Sequence, residues 1–105
     1  METTTDTGVY TSGDWHVRAG SEDAFVSRWR EFLEYARAEA PGFVWARLLR
    51  DANDARHFVS VGEWQSLAAQ STWRGLPDFA AEFGACHALC DEDRNSNYTQ
   101  AAQVL

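Results

Sequence analysis

The sequence predicts one small α+β domain, and three observations predict it. Two apolar-rich runs, residues 43–49 and 57–64, are joined by the polar stretch Arg50-Asp51-Ala52-Asn53-Asp54-Ala55-Arg56, which reads as a β-hairpin. Amphipathic patterns of helical period lie on both sides of that hairpin. Extended segments occur near the two ends of the chain. Strand, helix, hairpin, helix and strand in 105 residues outline a single α+β unit over residues 9–105, behind a short frayed tail at residues 1–8.

The first strand is expected over residues 9–19. Its alternation is imperfect: Val9, Trp15 and Val17 share one parity, and Asp14, His16 and Arg18 the other. Gly20 breaks the strand. Ser21 can cap a helix, and Glu22 and Asp23 suit the positive end of its dipole. The helix over residues 22–40 carries Phe25, Trp29, Phe32, Leu33, Ala36 and Ala40 at spacings of one helical stripe, and Pro41-Gly42 stops it. After the hairpin, Ser66 caps a short helix to about Trp73, ended by Gly75. Pro77 suits the first turn of a further helix whose stripe is Phe79, Phe83, Cys86 and Cys90. Residues 91–97 read as a polar turn, and residues 98–105 as a weak last strand with Tyr98, Ala102 and Val104 on one side.

Composition excludes several classes of function. Hydrophobic residues at 45% and aromatics at 13%, with five Trp, supply ample material for a packed core. A net charge of −7 repels nucleic-acid phosphate and anionic lipid, so neither is expected as a partner. No apolar run approaches the length of a membrane span, and the amino terminus has neither the basic nor the apolar region of an export signal. Cys86 and Cys90 are therefore expected to be reduced thiols in a cytoplasmic protein.

The third strand bears on assembly. Phe58 and Trp64 share one face, with Ser60 and Gly62 between them, while Val59 and Val61 share the other. Helices can cover one face of a four-stranded sheet. The opposite face would then leave an apolar patch of a size monomers rarely expose. The simplest solution is a homodimer packed sheet to sheet about a two-fold axis.

Gly20, Glu22-Asp23-Ala24-Phe25, Trp29, Pro41-Gly42-Phe43, Phe58-Val59-Ser60-Val61-Gly62-Glu63-Trp64-Gln65-Ser66, Trp73 and Pro77-Asp78-Phe79 occur in an order and spacing that resembles the antibiotic biosynthesis monooxygenase (ABM) family. The likeness spans nearly the whole chain. It implies a ferredoxin-like four-stranded antiparallel sheet with helices on one face, pairing into a dimeric α+β barrel. Some family members oxidise aromatic polyketide intermediates with molecular oxygen and neither metal nor flavin, some degrade haem, and many have no assigned reaction.

In the quinone-forming members a Trp at the position of Trp64 lines a pocket, with an Asn four residues before it and a Tyr six after. Here Trp64 stands with Ser60 and Gln70 in those places, each still able to donate a hydrogen bond. Trp64 as core alone and Trp64 as core plus pocket wall both remain open. The haem-degrading members carry an Asn, a Trp and a His at positions corresponding to Gly13, Trp73 and Phe83, so only the Trp matches and the axial ligand is missing. His87, one helical turn beyond Phe83, is the one evident base near neutral pH. Cys86, His87 and Cys90 offer too few ligands for a closed zinc site, and their directions diverge on a helix, so no metal is expected there. His16 and Asp14, with Arg18 beyond, form a polar cluster inside the implied barrel, most simply a satisfied buried network. His57 is expected to be exposed. No nucleophile motif, phosphate loop or dinucleotide fingerprint occurs, and nothing demands a cofactor.

Three functions are weighed as expectations, the first implied by the resemblance and the third, haem degradation, disfavoured by the missing axial ligand. In the first, the protein is a cofactor-independent oxygenase acting on a small electron-rich aromatic, a phenol, hydroquinone or anthrone, held against Trp15, Trp64, Trp73, Phe79 and Phe83, with Ser60, Gln70 and His87 as polar groups. In the second, it is a non-catalytic dimeric module that binds a small hydrophobic ligand.

Overall fold

Phe25, Phe32 and Ala36 fall on one stripe of the first helix, and all three are buried. That stripe sets the helix on the sheet. In the computed structural model, which describes residues 8–105, the order is β1 (Val9–Val17), α1 (Glu22–Glu39), β2 (Phe43–Asp51), β3 (Asp54–Trp64), α2 (Leu67–Arg74), α3 (Phe79–His87) and β4 (Cys90–Thr99). The four strands form one antiparallel sheet in the order β2-β3-β1-β4. This is the ferredoxin-like α+β arrangement. Apart from Gly8, the expected tail lies outside the described residues. No helix among the described residues is long and apolar enough to cross a membrane.

The local signals explain most boundaries. Gly42 adopts φ +93°, a left-handed conformation that lets the chain leave α1 and enter β2 at once. Ser66 caps α2, its Oγ accepting the Ala69 backbone N–H at 3.0 Å. Ser21 stands at the start of α1 without making the side-chain bond expected of it. Pro77 precedes α3 rather than entering its first turn, and Asp78 takes the cap position.

The C-terminal third departs from expectation. Residues 91–97, read as a turn, belong to β4, while residues 100–105 are irregular. Cys90 accordingly opens β4 and does not continue the helix of Cys86. The cause is tertiary. β4 is an edge strand whose main chain pairs with β1 from Val17↔Cys90 to Val9↔Thr99, so backbone hydrogen bonding holds a segment whose side chains carry almost no apolar pattern.

The core is an aromatic layer between helices and sheet. Trp15 and Phe25 lie 5.2 Å apart, Phe25 and Phe58 5.2 Å, and Trp64 and Trp73 4.8 Å. Trp15, Trp64, Phe25 and Phe58 are all fully buried. Truncating any one of them to Ala should cost about 3–5 kcal/mol. The opposite sheet face is different: Val59 and Val61 are half-buried, and Leu49 is 54% exposed.

Burial raises the Cys86 thiol to about 12 and the Cys90 thiol to about 11. Both are free, and Cys90 Sγ donates to the Cys86 carbonyl at 3.5 Å. A raised thiol pKa stabilises the fold fully below the unfolded value of 9.0 and loses that contribution as the pH climbs toward the folded value. Native protein at about pH 8 should therefore react with a thiol reagent at least about a hundredfold more slowly than guanidinium-unfolded protein. Equal labelling rates in the two states would show that these thiols are not buried.

Candidate functional site

The helix-facing residues of the two central strands follow a size pattern. β1 presents Val9, Thr11, Gly13, Trp15 and Val17, and β3 presents Phe58, Ser60, Gly62 and Trp64. The register places Trp15 opposite Phe58, Gly13 opposite Ser60, Thr11 opposite Gly62 and Val9 opposite Trp64. Small residues thus occupy the middle of the floor, and large rings stand at its ends. On β4, Asn95 lies opposite Gly13 and Asn97 opposite Thr11. Above this floor, Phe32 of α1, Gln70, Trp73 and Arg74 of α2, and Phe79 and Phe83 of α3 enclose a cavity of about 60 Å³.

The polar groups are concentrated on the floor. Trp15 Nε1–H donates to Ser60 Oγ at 3.0 Å. A Cβ placed on Gly13 would sit 2.5 Å from Trp15 Nε1, 2.6 Å from Ser60 Oγ and 2.8 Å from Asn95 Oδ1. Those three groups therefore converge over the missing side chain. Beside them, Asn97 Nδ2 donates to Oε1 of the buried Gln70 at 3.4 Å. The Trp73 indole N–H is buried and finds no acceptor among the described residues. An unpaired buried donor costs about 1–3 kcal/mol, and an oxygen acceptor brought into the cavity could recover part of that. Arg74 is the one charged side chain among the described lining residues, with its guanidinium 5.7 Å over the Phe79 ring.

Seven of the residues singled out in the sequence line this cavity: Trp15, Ser60, Trp64, Gln70, Trp73, Phe79 and Phe83. Trp64 is both core and wall, being 1% exposed and stacked on Trp73. His87 is placed elsewhere. It ends α3 with a side chain 62% exposed, its Nδ1 hydrogen-bonded to the Asp93 carboxylate. Its ring stacks 6.2 Å from Phe83 but is not part of the lining. Helical spacing brought His87 near the right face, one turn too far along.

The structure brings Asp14 and His16 together, as the sequence suggested, but the third member is His57 and not Arg18. Arg18 turns to Asp91 and to the Ala88 carbonyl. His57 is only 23% exposed at its side chain, contrary to the exposure expected of it, because Asp51 and Asp14 clamp its two ring nitrogens. The hydrogen bond to Asp51, then that to Asp14, raises the His57 pKa, and the same contact lowers that of Asp51.

Sequence reasoning missed Asn95, Asn97 and Arg74. The one available signal for the two amides was the alternation Asn95-Ser96-Asn97, masked by a composition that reads as a turn.

Over residues 9–84 the chain matches the family model described as antibiotic biosynthesis monooxygenase. The protein belongs to the ABM family. Among solved structures it is similar to SnoaB, a cofactor-independent oxygenase from Streptomyces nogalater, with 25% identity, 95% of this chain and 98% of SnoaB covered, and a TM-score of 0.85. PA3566 from Pseudomonas aeruginosa shares the fold at 19% identity, with 95% and 100% covered and a TM-score of 0.77. A further antibiotic biosynthesis monooxygenase, also 19% identical, superposes with a TM-score of 0.77 over 90% of this chain and 99% of its own. No curated protein matches the sequence.

Within this ABM domain, Gly13→Ala should drive a methyl group into Trp15 Nε1, Ser60 and Asn95. The expected cost is about 1–3 kcal/mol, read as a lower denaturant midpoint. An unchanged midpoint would mean that the three polar groups are not held over Gly13 as described.

Proposed function

We propose that the protein is a cofactor-independent monooxygenase that uses molecular oxygen to oxidise an electron-rich aromatic, phenolic, hydroquinone or anthrone-like, in the cavity between sheet and helices. The observation that carries this reading is the division of the cavity into stacked aromatic walls and one polar strip. Flat rings suit Trp64, Trp73, Phe79 and Phe83, and substrate oxygens suit the donors and acceptors of Ser60, Asn95, Asn97 and Gln70. Family membership and the likeness to SnoaB support the same reading.

The chemistry needs an ionised substrate. Loss of a proton makes the aromatic electron-rich enough to reduce oxygen itself. One electron passes to O₂, the resulting radical pair combines at the ring carbon as a peroxide, and loss of water leaves a carbonyl. For an anthrone methylene the balance is CH₂ + O₂ → C=O + H₂O. The lining residues contribute orientation, exclusion of water and hydrogen bonds to the developing oxyanion. The Arg74 cation and the Trp73 N–H favour the substrate anion. His87 lies off this path, so the proton passes to solvent water, helped by the substrate's own acidity and by Arg74, and a proton is returned from water to the peroxide before water is lost. A cavity of about 60 Å³ holds a few waters, whereas drug-sized ligands occupy roughly 300–1,000 Å³. Admission of a polycycle therefore requires the cavity to enlarge.

The functional unit in this reading is a homodimer, with Leu49, Val59, Val61 and Tyr98 of the open sheet face covered by a second copy. Val61→Asp should shift the sedimentation profile from dimer to monomer. A wild-type protein that sediments as a monomer at micromolar concentration would remove the dimer from the proposal.

Oxygen consumption with a panel of anthrones and hydroquinones tests the reaction. Wild-type protein should consume oxygen in step with product. Trp64→Ala and Asn95→Ala should each lower kcat/KM by at least about tenfold. Loss of turnover in His87→Ala but not in Arg74→Ala would return proton removal to His87. Quenching of Trp fluorescence by the same compounds without oxygen uptake would instead mark a binding module, a reading favoured by the replacement of the expected Asn and Tyr with Ser60 and Gln70.

A further inference from the structure

We propose that Asp14, His16 and His57 form a binding site for a divalent transition-metal ion of the zinc type on the sheet face opposite the helices. No other function assigned to the protein uses these residues.

The strand pairing builds the site. His16 and His57 are register partners on β1 and β3, and Asp14 precedes His16 by two residues on the same face. Their imidazole rings lie parallel, 4.6 Å apart with 9° between planes. His57 Nε2 is 2.5 Å from Asp14 Oδ1, and His16 Nε2 is 3.7 Å from the same oxygen. One donor atom from each of the three residues lies within 4.8 Å of the others. Zinc bonds of about 2.0–2.2 Å to nitrogen and oxygen place ligand atoms about 3.3 Å apart in a tetrahedron. To reach that value the two imidazole rings leave their parallel stack and tilt until both Nε2 lone pairs converge on the ion.

The surroundings are those of a metal-binding imidazole. Asp51 Oδ2 accepts from His57 Nδ1 at 2.9 Å, the carboxylate–histidine arrangement that fixes the tautomer and turns the Nε2 lone pair toward the ion. Glu92 is the register partner of His16 on β4, and Arg94 that of Asp14, so one further carboxylate and one opposing cation flank the site. Two imidazoles and a carboxylate suit zinc, copper or nickel over calcium or magnesium. Three protein ligands leave a coordination position for water, a small anion or a donor from the second copy that the proposed dimer lays on this face.

Calorimetric titration of chelator-treated protein with zinc near neutral pH tests the site, with cobalt absorption reporting the coordination number. The expected result is one ion per chain and a tetrahedral or five-coordinate cobalt spectrum. Binding should weaken at least tenfold in His16→Ala and in Asp14→Asn, and about tenfold in Asp51→Asn. His16 is 42% exposed at its side chain, so its replacement leaves the fold intact, and circular dichroism of each variant verifies this. Absence of zinc binding by the wild-type protein would overturn the proposal. So would undiminished binding in a correctly folded His16→Ala, Asp14→Asn double variant, which would place the ion elsewhere. These outcomes are independent of whether the helix-side cavity oxidises an aromatic.

Discussion

The cavity depends on a sequence of residue sizes along two neighbouring strands. Thr11, Gly13, Ser60 and Gly62 form a floor too low to touch the helices, while Trp15, Phe58 and Trp64 rise at its ends and meet them. The rings act as pillars: Trp15 and Phe58 support Phe25 of α1, and Trp64 supports Trp73 of α2. Space remains between the pillars because close packing is satisfied at the ends and cannot be completed in the middle. The same burial that stabilises the domain thus defines where the cavity lies.

The electrostatic character of that space follows from what is buried with it. Most of the lining is apolar, so the few hydrogen-bonding groups act in a medium where each is stronger than in water. Trp15 and Ser60 satisfy one another, Asn97 and Gln70 do likewise, and the Trp73 N–H is left over. The pairs are held in place by their own bonds, which keeps them oriented before anything binds. Arg74, itself exposed, is the one charged side chain among the described lining residues, in a protein of net charge −7. An anion that would be repelled by the surface as a whole still meets a favourable field there.

The sequence announced α1, the hairpin and the inward residues of β1 and β3 because hydrophobic periodicity decides those elements. Phe25, Phe32 and Ala36 had nowhere else to go, and Trp64 could serve as core and wall at once without contradiction. β4 was illegible because its place is decided by main-chain pairing to β1, which leaves no apolar trace in Asp91-Glu92-Asp93-Arg94-Asn95-Ser96-Asn97. The loss of β4 concealed Asn95 and Asn97, since their inward aim is a property of strand register. His87 failed for a related reason: helical period gives a direction around the axis but not the depth at which a cavity ends. His57 looked like a loop-flanking surface residue because Asp14, which clamps it, is 43 positions away.

β4 has a dual position in the molecule. As an edge strand it is secured through atoms common to every amino acid, yet it supplies two of the side chains that face the chamber. Exchanges at positions 95 and 97 would change the polar face of the chamber without touching the aromatic rings, although position 97 also partners the buried Gln70. The polar lining of the chamber can therefore vary along one margin of the sheet, apart from the aromatic framework that keeps the domain folded.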